Sequence, residues 1–135
     1  HGQHTYEFLL VPYLPGELPE VSNIAQAWNQ PIYVLDGVCA PEWVQGSWLE
    51  IDKPNLVLSS VKSADDGSGD MIVRYYETSG RETEAKLILR DAEKVWLSDV
   101  TESFVSLLSC QNDVVSVHCR PFEIQTLRVK KHCGQ

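Results

Sequence analysis

Arg74-Tyr75-Tyr76-Glu77-Thr78-Ser79-Gly80, followed by Thr83-Glu84-Ala85-Lys86-Leu87-Ile88-Leu89, is the stretch whose reading decides the fold. The first run closes a strand that begins at Met71, and it enters a turn at Ser79-Gly80-Arg81, where small and polar residues favour reversal. The second run is another strand. Working outward, further strands are predicted at Ile32–Leu35, Ser47–Ile51, Leu56–Lys62, Lys94–Leu97, Phe104–Leu108, Val114–His118 and Phe122–Val129. Asp52-Lys53-Pro54-Asn55 and the acidic, glycine-rich Asp65 to Asp70 supply two more turns. Short strands about ten residues apart with polar turns indicate two packed antiparallel sheets.

The N-terminal segment also reads as a strand. His4, Tyr6, Phe8 and Leu10 alternate with Thr5, Glu7, Leu9 and Val11 until Pro12 and Pro15 break the pattern. Only Pro19–Trp28 has helical spacing, with Val21, Ile24, Ala25 and Trp28 on one stripe and Glu20 in the first turn. Asn29-Gln30-Pro31 stops it, because a residue before proline avoids the helical region. The expected architecture is therefore all-β, an antiparallel β-sandwich with one short helix, forming one domain over residues 1–135.

Composition agrees with a globular domain: 43% hydrophobic and 22% charged residues. A formal net charge of −8 opposes a polyanion, so no nucleic-acid partner is expected. No apolar run is long enough to span a bilayer, so no membrane partner is expected either. The basic cluster Arg128, Lys130, Lys131 and His132 reads as a solubilising strand end. The four cysteines, Cys39, Cys110, Cys119 and Cys133, have no paired spacing. Their low density and the lack of a visible secretion signal point to reduced thiols in a cytoplasmic protein, with a vacuolar or other compartment left open. A chain that starts at His1 and not at Met suggests a piece of a longer polypeptide.

Gly2-Gln3-His4-Thr5-Tyr6-Glu7-Phe8, Ala27-Trp28-Asn29-Gln30-Pro31, Val57 to Lys62, Ile72 to Glu77, Asp99-Val100-Thr101-Glu102 and Arg120 to Val129 occur in this order along the chain. Together they resemble the C-terminal β-domain of family 38 glycoside hydrolases, the α-mannosidases. Two positions depart from that pattern. Tyr13 stands where the family often has histidine, and Tyr75 replaces the leucine of Arg-Leu-Tyr-Glu. The likeness leans to the compact subgroup of cytosolic, vacuolar and prokaryotic enzymes.

The resemblance implies a retaining hydrolase of terminal α-linked mannose in oligosaccharides, which requires two carboxyl groups about 5–5.5 Å apart. It places the nucleophile and a divalent metal, zinc or similar, in a separate catalytic domain. No catalytic residue, metal ligand or cofactor is therefore assigned to these residues. The implied partners are the enzyme's own catalytic domain and a mannose-containing oligosaccharide. The alternative is a free-standing sandwich module that binds carbohydrate or protein.

Four residues are candidates for a substrate-edge or interdomain contact: Arg74, Tyr76, Glu77 and Gly80. Glu77 ends a strand beside a turn, where a side chain can reach a neighbour. One carboxylate cannot perform two-carboxylate chemistry, so an ion pair with Arg74 or Arg81 is its expected role. Three other constellations are read as structural. His118-Cys119 with His132-Cys133 has ligand types suited to zinc, but strand neighbours project to opposite faces. Asp65, Asp66 and Asp70 lack the spacing of a calcium loop and read as a solvated hairpin. Trp28, Trp43, Trp48 and Trp96 could stack on sugar, Trp43 and Trp48 beside Gly46 best of all, but core or interdomain packing is the favoured reading.

Overall fold

A computed structural model describes residues 2–15, 18–30 and 47–132. Among the described residues one helix, α1 (Leu18–Asn29), precedes nine strands. These are β1 (Leu49–Ile51), β2 (Leu56–Ser63), β3 (Met71–Glu77), β4 (Thr83–Leu89) and β5 (Ala92–Ser98), then β6 (Phe104–Leu108), β7 (Cys110–Gln111), β8 (Val114–Cys119) and β9 (Ile124–Lys131). They form two antiparallel sheets, ordered β1-β4-β8-β7 and β2-β3-β9-β5-β6. The predicted sandwich is present.

The alternation of β4 shows why. Thr83, Ala85, Leu87 and Leu89 are buried, while Glu84 and Lys86 face solvent. Val115, Val117 and Cys119 of β8 fall on the same inner face, register-matched to Leu87, Ala85 and Thr83. From the opposing sheet come Val73 and Tyr75 of β3, Leu127 and Val129 of β9, and Val95 of β5. Burying each of these larger apolar side chains contributes about 1.5–3 kcal/mol.

Every predicted strand that can be compared is present except one. β9 begins at Ile124, two residues later than predicted, because Phe122 adopts φ 56° in the preceding turn. β7, only two residues long, had no periodicity to reveal it. The helix extends one residue beyond the prediction at each end, but Ile24, Ala25 and Trp28 of its stripe are exposed rather than packed in the core.

The predicted strand over residues 4–11 is absent. That segment joins neither sheet, and Tyr6, Phe8 and Leu10 are 74%, 86% and 92% exposed. Alternation reports which faces are apolar, but a strand also needs a neighbour that takes its backbone hydrogen bonds, and this segment pairs with none in either sheet. The expected strand Ile32–Leu35, along with Cys39, Trp43 and Cys133, lies outside the described residues. No helix among the described residues is long and apolar enough to cross a membrane.

Candidate functional site: the Glu77 hub

Three connections cross between the sheets at one end of the sandwich. They are residues 52–55 from β1 to β2, 78–82 from β3 to β4, and 120–123 from β8 to β9. Register places them together, since Leu56 pairs with Glu77, Tyr76 with Ile124 and Thr83 with Cys119. Glu77 closes β3 with its side chain pointing into this junction, and it is only 1% exposed.

Its carboxylate is fully engaged. Oε1 accepts from Asn55 Nδ2 at 2.9 Å, the Ser79 amide at 2.7 Å and the Ser79 hydroxyl. Oε2 accepts from the amides of Gly80 at 2.7 Å, Arg81 at 3.3 Å and Phe122 at 3.1 Å. Asn55 extends the hub, donating also to Thr83 Oγ1 at 2.7 Å, while its carbonyl accepts from the Thr78 amide at 2.9 Å. One carboxylate and one amide side chain thus bind all three crossings. The expected ion pair with Arg74 or Arg81 is not formed, since Arg81 contributes only its backbone amide. Strand parity sends Arg74 to the opposite face, where Nε donates to Thr126 Oγ1 at 3.1 Å and the guanidinium to the Val100 carbonyl at 3.1 Å.

Burial alone would push the Glu77 carboxyl upward. The donors from Ser79, Asn55 and the Phe122 amide outweigh it and bring the pKa down to about 2. Such a group is a permanent anion with no free lone pair, unsuited to giving a proton or attacking a sugar carbon. Arg120 holds the nearby Glu123 carboxyl below its ordinary range, with guanidinium contacts of 2.8 and 3.1 Å. The junction therefore fixes geometry.

Gly80 sits at φ 69°, and a Cβ placed there would meet the Phe122 ring at 2.6 Å. The aromatic edge and the glycine are thus a fitted pair, with both backbones in the left-handed region. Phe122 is 69% exposed and Ile124 67%, and Ile124 pairs in register with half-buried Tyr76. Of the four predicted site residues, the structure joins Glu77 to Gly80. Tyr76 and Arg74 share the outer face of the five-stranded sheet. Asn55 and Phe122 were missed: Asn55 looked like an ordinary turn residue, and nothing in a sequence marks a phenylalanine at positive φ.

The remaining constellations also resolve. Arg128 is buried, so the reading of residues 128–132 as a solubilising end fails there. Its Nε donates to Asp70 at 2.7 Å, and its terminal nitrogen donates to Asp66 at 2.7 Å and Ser68 at 2.8 Å. The guanidinium stacks 4.4 Å from the centre of the Phe104 ring. The Asp65–Asp70 loop is thus a clasp on β9 and not merely a solvated hairpin. Lys131 lies 4.5 Å from the centre of the Trp48 ring, and Trp96 meets Phe104 edge-on at 5.1 Å.

His118 pairs with Glu82 while Cys119 is buried, so the two neighbours diverge as strand geometry requires. No group of His, Cys, Asp and Glu side chains among the described residues could hold a metal ion. The divalent metal implied by the resemblance does not fit here.

Residues 55–127, just over half of the chain, match the family described as the glycosyl hydrolases family 38 C-terminal beta sandwich domain. The chain belongs to that family. The family 38 match opens at Asn55 and closes at Leu127, so it spans the hub and most strands of both sheets. No curated protein matches the chain. The family 38 domain carries the Glu77 hub as a structural element of its own.

Proposed function

We propose that this chain is the non-catalytic C-terminal domain of a retaining α-mannosidase that releases terminal α-linked mannose from oligosaccharides. The compact subgroup of cytosolic, vacuolar and prokaryotic enzymes suits it best. The observation that carries the reading is a family 38 match whose most buried acid, Glu77, is committed to structural hydrogen bonds. With that acid committed to structure, the domain is read as acting through its surface. Phe122 and Ile124 form an exposed apolar edge beside Tyr76, above the rigid junction of the three crossings. That edge packs on the enzyme's own catalytic domain and borders the sugar site there, while the catalytic carboxylates and a divalent metal belong to that domain. The free thiols of Cys110 and Cys119 support a reducing, cytoplasmic setting.

The test compares the isolated chain with the full-length polypeptide on an aryl α-mannoside. Hydrolysis is expected from the full-length polypeptide alone. Turnover by the purified isolated chain, or none by the full-length polypeptide, overturns the reading.

A further inference from the structure

Residues 4–11 have a strand's alternating pattern but join no sheet. Their side chains alternate with period two, and the His4 and Tyr6 rings lie on one side of the chain with centroids 6.5 Å apart. Glu7 is the only carboxylate among them, and no Lys, Arg or Pro interrupts the run. Natural proteins protect an exposed strand edge with charge, proline or a covering element, and this segment has almost none of these. The open edge of β6, with exposed Phe104, Val105 and Leu107, is not used by it.

The following helix meets the start of β2 and the turn before it. Asn23 donates to the Pro54 carbonyl at 3.4 Å, and Gln26 donates to the Leu58 carbonyl. Residues 2–30 also precede the family 38 match, which opens at residue 55.

We infer that residues 4–11 are a strand donated to an open sheet edge in another part of the same enzyme, with α1 as the connecting strut. The occupant of that edge is this segment, and the partner is a β-sheet of the full-length polypeptide, a claim that rests on the reading of the chain as one domain of a larger enzyme. A strand with a single carboxylate and apolar groups on both faces suits a site covered on both sides. Backbone pairing there would satisfy the amides and carbonyls that the sandwich leaves to water. The side-chain anchors on Pro54 and Leu58 then help set where the donated strand leaves the sandwich.

Amide hydrogen exchange tests this in the full-length polypeptide and in the isolated chain. The expected result is that amides of residues 4–11 exchange at least about a hundredfold more slowly in the full-length polypeptide than in the isolated chain. Equal, fast exchange in both overturns the inference. Protection already present in the isolated chain, or appearing there only at high protein concentration, also overturns it, because the edge used would then be this sandwich's own or a second copy's. As a second measurement, Phe8→Asp with Leu10→Asp should leave the isolated chain's melting temperature unchanged and lower that of the full-length polypeptide. A neutral result in both contradicts the inference. Neither readout depends on hydrolysis, so a full-length polypeptide inactive on mannosides would refute the proposed function and leave this inference standing.

Discussion

Replacing Glu77 with glutamine removes one charge and almost no volume, so it isolates what the hub carboxylate contributes. Oε2 accepts three backbone amides, from Gly80, Arg81 and Phe122. In the variant either the glutamine NH2 faces those donors, or it turns to face Asn55 and Ser79. Donor meets donor in both cases, and a buried donor left without an acceptor costs about 1–3 kcal/mol. The fall in pKa from 4.5 to about 2 gives a second route to the size of the effect. It corresponds to roughly 3 kcal/mol of charge-dependent stability.

The sign follows from the depressed pKa. The contribution is complete above pH 4.5, is lost as the pH falls, and is gone below about 2. Thermal unfolding of the isolated chain followed by circular dichroism at pH 7 should show Glu77→Gln melting about 10 °C lower. The gap between wild type and variant should narrow steadily below pH 4.5. Equal melting temperatures at pH 7, or a gap that persists unchanged near pH 2.5, would refute the reasoning.

Three further outcomes follow from the same contacts. Gly80→Ala drives a Cβ into the Phe122 ring at positive φ and should cost about 1–3 kcal/mol in a urea titration. Adding Phe122→Ala should recover part of that loss, and strict additivity in the double-mutant cycle would show the two residues to be uncoupled. Arg128→Met strands Asp70 beside an apolar side chain and should cost about 3–5 kcal/mol, the scale for breaking a buried pair; an unchanged unfolding midpoint would count against the clasp. Burial pushes the Cys119 thiol up to about 11, so it should react with a thiol reagent only as the chain unfolds, after half-buried Cys110. Rapid labelling of Cys119 in the native chain would contradict its placement.

Strand positions were legible because a half-buried sheet imposes period two, and β3, β4 and β6 were read to their ends. Residues 4–11 have the same periodicity without the pairing, since periodicity reports which faces are apolar and not whether an edge is available. Turn chemistry was visible at Ser79-Gly80-Arg81 and in the 65–70 loop, but its purpose was not. The six donors around Glu77 come from residues 55, 79, 80, 81 and 122, and the four backbone amides among them carry no sequence signature. An acid next to arginines therefore suggested an ion pair, whereas chain geometry supplied amides. Arg128 was misread for a related reason. Proximity to Lys130 and Lys131 suggested a solvated end, and alternation does place Arg128 on the outer face of β9; what buries it is the cover of Asp66, Asp70 and Phe104, which come from distant parts of the chain.

Whether Glu77 serves only to build the domain, as proposed, is tested most directly by steady-state hydrolysis of an aryl α-mannoside by the full-length polypeptide. Wild type and Glu77→Gln are to be compared at a temperature where both are shown to be folded. The expected result is turnover by the wild type and a partial defect in the variant, within about tenfold, from a displaced Phe122–Ile124 edge. A folded variant slowed by about 10²–10⁴-fold, the scale for loss of an essential acid or base, would contradict it.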